Sequence, residues 1–207
     1  MSYLTLIPAH ELIAPKCRTR VSQVFSTPEF RHRAVMSLFA DNLGSQPRRD
    51  NNILFRLETL SGQAPSFLIQ SDIPPDPDKC PPGAKVKEIP AANFSSGSFV
   101  VFRLSVNPLI RKNQGKGILV RFDEDDPAGT AMTEWLSKKL AGAFSELEIV
   151  NHKREFLKSK DSQKTIVVDL VDGVGKIADP NQLSEFLRVG VGRAKAYGCG
   201  LLTVKRI

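Results

Sequence analysis

Near the C-terminus, Gly190, Gly192, Gly198 and Gly200 are interleaved with Arg193 and Lys195 and followed at once by the apolar pair Leu201-Leu202. Glycine lets the main chain take positive φ and come close to a ligand, and the two cations supply charge for an anion. The combination reads as a backbone that faces phosphate, and a nucleic-acid strand suits both properties. A dinucleotide fingerprint is excluded because the third glycine falls too late and a helix-like run, Gln182 to Leu187, precedes the motif instead of following it. A Walker loop is excluded because Gly115-Lys116-Gly117 lacks the Ser or Thr after the lysine.

Proton transfer near neutral pH calls for histidine, whose ordinary pKa is about 6.5. The chain has three, His10, His32 and His152, and only His32 falls at an expected helix start between two cations, Arg31 and Arg33. On these residues alone, packing beside Val35, Met36 and Phe39 is the stronger reading of His32. Further cations cluster in His152–Lys164, which holds Lys153, Arg154, Lys158 and Lys160, and in Arg111-Lys112-Asn113-Gln114-Gly115-Lys116. The first is expected as a basic loop long enough to enter an RNA groove, with a solvated surface loop as its equal alternative. The second is a cationic segment or a plain linker. Arg18, Arg20, Arg48 and Arg49 carry no motif and are taken as ordinary surface.

The chain has 207 residues, of which 41% are hydrophobic, enough to bury the core of one domain or two small ones. Lys plus Arg outnumber Asp plus Glu by 29 to 22, and the resulting charge of +7 favours a polyanionic partner. Cys17, Cys80 and Cys199 are odd in number and far apart, which points away from a disulfide framework and a zinc site and towards a reducing cytoplasm. No metal or cofactor is called for. No apolar run reaches the roughly 18 residues of a membrane span, and Met1 to Leu6 lacks signal-peptide character.

These residues must be held by the elements around them. Tyr3–Ile7 is expected as a strand, followed by a helix from Pro28 with Phe30, Ala34, Val35, Leu38, Phe39 and Leu43 on one face, ending near Gly44. Ile53–Glu58 and Ser66–Gln70 read as strands around Ser61-Gly62, and the Pro-rich Asp72–Pro90 as a loop. Ser98–Val106 is a long strand, Ile118–Phe122 another. A helix is expected from about Gly129 to Ala141, its buried face formed by Met132, Trp135, Leu136 and Leu140. Trp135 is therefore core, not a platform for bases, and Phe99 and Phe102 are expected to pack inward or between the sheets. Leu201–Val204 closes the chain as a strand. This order suits an α+β fold of two tandem ferredoxin-like βαββαβ units, 1–110 and 111–207.

With the elements placed, the chain resembles the type I-E CRISPR precursor-RNA endoribonucleases, the CasE family of the repeat-associated RNA-binding superfamily, from end to end. The resemblance rests on Phe102–Pro108, Trp135–Leu140, Phe30-Arg31-His32-Arg33 and, most specifically, Gly190–Leu202. It implies two ferredoxin-like domains that grip a CRISPR repeat hairpin and cut at its base without metal. It also implies retention of the mature guide RNA beside other subunits of the type I-E interference complex. The family's catalytic histidine, early in the first helix, matches His32. Its frequent tyrosine three residues earlier is replaced by Glu29, which either orients the imidazole or simply complements the helix dipole. Ser105 and Arg193 stand where arginine and proline are frequent in the family.

The resemblance thus implies His32 with Glu29 as catalytic candidates. The RNA-binding candidates are Arg31, Arg33, Arg111, Lys112, Lys116, Lys153, Arg154, Lys158, Lys160, Arg193, Lys195 and the four glycines Gly190, Gly192, Gly198 and Gly200. The expected reaction is attack by the RNA's own 2′-hydroxyl, giving a cyclic 2′,3′-phosphate. The rivals are a non-catalytic RNA-hairpin-binding subunit of the same complex and a ferredoxin-like protein that binds acidic proteins.

Overall fold

Along Phe99–Val106 (β5), Val100, Phe102, Leu104 and Val106 are buried while Phe99 and Val101 are exposed, the two-residue alternation of a strand with one face on a core. The computed structural model describes residues 2–13, 25–90, 93–110, 117–122, 130–159 and 164–207. Arg111, Lys112, Lys116 and Lys160, like Cys17, Arg18 and Arg20, lie outside the described residues.

The first sheet holds β1 (Ser2–Pro8), β2 (Leu54–Glu58), β3 (Ser66–Ser71) and β4 (Lys85–Ile89) in the antiparallel order β2-β3-β1-β4. The helix α1 (Pro28–Met36) crosses from β1 to β2 and closes a core of Ile7, Val35, Phe39, Ile53, Phe55, Phe67 and Ile69. Pro28 opens α1, where no amide donor is needed. The helix stops at Met36, short of the Gly44 expected. Leu38 and Phe39 still reach the core from turns, so burial kept a helical period where the helix had ended. A four-residue helix, α2 (Pro47–Asp50), then leads into β2.

The Pro-rich segment is more ordered than expected. Its 3-10 turn at Pro77–Lys79 is capped by the Asp76 carboxylate, which accepts from the Asp78 amide at 3.1 Å. Residues Lys85–Ile89 then pair with β1 from Leu6↔Lys85 to Ser2↔Ile89. As an exposed edge strand, Lys-Val-Lys-Glu-Ile has no buried face to write an apolar alternation.

The second sheet has the order β10-β5-β9-β8, with β8 (Phe144–Lys158), β9 (Thr165–Ile177) and β10 (Leu202–Arg206). α3 (Thr130–Lys139) and α4 (Pro180–Val189) supply its crossovers. Met132, Trp135, Leu136 and Leu183 meet Phe102, Leu104, Ile149 and Val171 in the core. A short hairpin, β6 (Leu109–Ile110) with β7 (Ile118–Leu119), precedes α3, so the strand expected to reach Phe122 is only two residues long. Asp179 caps α4 by accepting from the Asn181 amide at 2.8 Å. Each unit has the strand order of a ferredoxin-like fold, as the sequence implied.

β5 sits between β10 and β9, so the chain changes sheets between Ile89 and Phe99, upstream of the expected division near residue 110. Gly173 and Gly175 on β9 account for the tight packing there. A Cβ on Gly173 would lie 2.3 Å from the Glu148 carbonyl oxygen, and one on Gly175 would lie 2.6 Å from the Phe144 ring. Phe99 is a correction: it is 47% exposed, with Lys176 over its ring. Among the described residues no helix is long and apolar enough to cross a membrane.

Candidate active site

His32 lies on the second turn of α1, half-buried, and two other segments converge on it. From α2 comes Arg48, whose charge acts on the imidazole, and from the glycine-rich segment comes the Ala196 backbone, which hydrogen bonds with it. Burial, and after it the Arg48 charge, hold His32 below the ordinary histidine range, while the Ala196 contact pulls the other way. His32 and Arg48 open on one cleft of about 400 Å³, lined also by Met36, Gln46, Pro47 and Arg49. On the C-terminal side Lys195 lies near Arg48. Burial and Arg48 lower its pKa too, and its Nζ donates to the Val189 carbonyl at 2.6 Å. Arg48, taken as ordinary surface in the sequence, is thus part of the site. Only tertiary folding brings it to His32.

The glycine-rich segment takes the conformations its composition demanded. Gly190, Gly192, Gly198 and Gly200 have φ of 79°, 74°, 94° and 92°, and Ala194 is also left-handed at 56°. The need for glycine differs along the segment. A Cβ on Gly190 would stand 2.8 Å from the Leu54 methyls and 2.9 Å from the Gly200 carbonyl oxygen, and one on Gly198 would meet the Phe55 ring at 3.2 Å. On Gly200 it would lie 3.0 Å from the Val191 carbonyl oxygen and from Lys195. These three glycines let the segment pack on itself and on β2 of the first sheet. Only Gly192 faces open space. Gly192→Ala should therefore cost just the left-handed strain, about 1–2 kcal/mol, whereas Gly190→Ala adds a clash and should lower the melting temperature further. Equal losses in a thermal melt would contradict this division.

The other candidates separate. Arg33, Lys153, Lys158 and Arg193 are exposed, as a phosphate contact requires. Arg31 is corrected: it is 2% exposed, with Nε donating to the Phe25 carbonyl at 2.6 Å and Nη2 to Glu155 Oε1 at 2.6 Å, so it fastens α1 to β8. Arg154 is corrected likewise. Its guanidinium donates twice to the buried Asp169 at 2.7 Å and once to the Val120 carbonyl at 2.9 Å, and it stacks on Phe122. His152 shares Asp169 at 2.8 Å.

The expected basic loop over 152–164 is also corrected, because β8 continues in register with β9 as far as Lys158↔Thr165. Alternation on that strand sends His152 and Arg154 inward and Lys153 outward. Glu29 accepts a hydrogen bond from the Ser159 hydroxyl at the end of β8, and the Lys158 amide donates to the Ser26 carbonyl at 3.2 Å. The start of α1 is thereby joined to the end of β8. Cys199, within the glycine-rich segment, is buried with Leu157 and Val168, and burial pushes its thiol to about 12, so it packs as an apolar group. Among the described residues no three His, Cys, Asp or Glu side chains converge.

The arrangement offers one titratable imidazole in an open cleft, with the Arg48 guanidinium from α2 beside it. Such a site can move a proton while holding an anion. Residues 4–206 match the family described as CRISPR associated protein. Thermus thermophilus Cse3, solved bound to an RNA representing a pre-cleavage complex, is 25% identical with a TM-score of 0.75, covering 99% of this chain and 98% of that one. Escherichia coli K-12 Cas6e is 21% identical with a TM-score of 0.64 over 100% of both chains, a likeness of fold. No curated protein matches the chain by sequence.

Proposed function

The chain belongs to the CRISPR-associated protein family, and from that premise we propose that it is an endoribonuclease that cuts CRISPR precursor RNA at the base of the repeat hairpin and keeps the guide RNA as a subunit of a type I-E interference complex. The observation that carries this reading is the meeting of His32 from α1 and Arg48 from α2 at one cleft, with the Ala196 backbone of the glycine-rich segment against the imidazole. The RNA-bound Cse3 structure, similar over the whole length, supports the choice of substrate.

In the proposed reaction the 2′-oxygen bonds to the adjacent phosphorus and the phosphorus–O5′ bond breaks. One proton leaves the 2′-hydroxyl and one arrives at O5′, giving a cyclic 2′,3′-phosphate and a 5′-hydroxyl. His32 moves one of these protons. Its lowered pKa keeps the neutral form abundant at neutral pH, ready to accept a proton. Glu29 is assigned a positioning role through Ser159. Lys153, Lys158, Arg33 and Arg193 hold the RNA backbone, and the nucleophile belongs to the RNA, so no metal is needed to generate one.

The test uses the purified protein and a panel of repeat hairpins. Cleavage should persist in excess chelator, yield cyclic phosphate ends, and stop when the nucleotide before the scissile phosphate lacks its 2′-hydroxyl. Activity lost in chelator and restored by a divalent ion would overturn the mechanism. Tight hairpin binding without any cut would favour the non-catalytic RNA-binding reading.

A further inference from the structure

Among the described residues, five arginines are buried or half-buried: Arg31, Arg48, Arg56, Arg103 and Arg154. Four of them meet a carboxylate within salt-bridge distance: Arg31 with Glu155, Arg56 with Glu58, Arg103 with Asp172, Arg154 with Asp169. Arg48 has no carboxylate partner among the described residues. Its one side-chain hydrogen bond there is a long contact from Nη1 to the Ile53 carbonyl at 3.4 Å. A guanidinium drawn partly out of water and left without an anion is costly unless something supplies one.

The backbone that carries it is well fixed. The Ile53 amide donates to the Arg48 carbonyl at 2.9 Å, and the Asn51 side chain to the Pro47 carbonyl at 2.9 Å, so α2 is pinned to the start of β2. The side chain opens on the cleft it shares with His32. We propose that Arg48 is a catalytic residue: its guanidinium binds the non-bridging oxygens of the scissile phosphate and stabilises the charge that grows on them as the 2′-oxygen attacks. This rests on the ribonuclease reading and assigns the missing anion to the substrate. A planar fork of donors matches two phosphate oxygens at once, which a lysine ammonium does not.

The charged side chains carried by the elements around His32 define a second readout. α2 contributes Arg48 and Arg49, the glycine-rich segment Lys195, and α1 itself Glu29 and Arg33. Of these charges, Arg48 acts on the imidazole. Removing it should raise the His32 pKa and move the corresponding limb of the pH–rate profile to higher pH.

The experiment measures single-turnover cleavage and hairpin affinity for the wild type, His32→Ala, Arg48→Ala, Arg48→Gln and Arg48→Lys. Arg48→Ala and Arg48→Gln should slow cleavage by about 10²–10³, with affinity within a few-fold of wild type. Arg48→Lys should recover only part of the rate, and added guanidinium should partly rescue Arg48→Ala. An Arg48 that only shaped the fold would lower the melting temperature without shifting the pH limb or answering to guanidinium. Wild-type rates in both neutral variants, or slow rates with an unmoved pH limb and no rescue, would overturn the assignment while His32→Ala still tests the ribonuclease reading. A wild-type protein that cuts no hairpin would remove both.

Discussion

His32→Ala is expected to slow single-turnover cleavage of a repeat hairpin at neutral pH by about 10²–10⁴, the range general acid–base catalysis supplies, while hairpin affinity stays near wild type. The substitution deletes the one titratable ring in the cleft and leaves the exposed cations Arg33, Lys153, Lys158 and Arg193 in place. The ring is half-buried on a helix face, so its loss should leave the fold intact, which a thermal melt would show. A variant that cuts at the wild-type rate would make His32 a packing residue. A variant that loses affinity in parallel with rate would make its role positional.

Arg56→Ala is expected to destabilise the protein by roughly 3–5 kcal/mol, as breaking a buried ion pair does. Arg56 is 2% exposed and uses all five of its donors. Nε and Nη2 donate to Glu58 Oε1 at 2.8 and 2.6 Å. Nη1 donates to the Arg103 and Leu201 carbonyls at 3.1 and 2.9 Å, and Nη2 also reaches the Thr203 hydroxyl at 3.1 Å. Arg56 and Glu58 lie on β2 of the first sheet, whereas Arg103 and Thr203 lie on β5 and β10 of the second, with Leu201 just before β10. The guanidinium therefore ties the sheets together.

Glu58 extends the tie through Arg103, which grips Asp172 at 2.6 Å. Burial alone would raise the Asp172 carboxyl, but the hydrogen bonds from Arg103 and Asn151 prevail and hold it below the usual carboxylate range. Against a typical total stability of about 5–15 kcal/mol, the Arg56 loss is severe. At about 2–4 °C per kcal/mol for a chain of this size, the melting temperature should fall by about 6–20 °C. Arg56→Lys should rescue little, since an ammonium offers three donors on a different geometry. A drop of less than about 2 °C for Arg56→Ala would show that water or rearrangement replaces the network.

Two kinds of signal were legible in the sequence, and both are local. Apolar periodicity placed β1, β2, β3, β5, α3, α4 and β10, because a strand or helix with one buried face writes its period into its own residues. The four glycines announced positive φ, because no other residue adopts that backbone at so little cost. Their order with the cations, together with the motifs around His32, carried the resemblance to the CasE family. Where an element has no buried face, as in β4, or where burial continues past a helix end, as at Leu38 and Phe39, the pattern misled.

The site's composition was decided by tertiary structure. Arg31, Arg33, Arg48 and Arg154 are chemically identical in the sequence, yet folding gives two of them carboxylates and buries them, leaves one in solvent, and turns Arg48 into the cleft beside His32. Strand alternation at β8, not charge density, chose which of Lys153 and Arg154 faces outward. Whether an arginine grips the protein or is offered to a phosphate depends on which carboxylates folding brings within reach, and these can lie far along the chain, as Glu155 does from Arg31. A local pattern cannot encode such a contact.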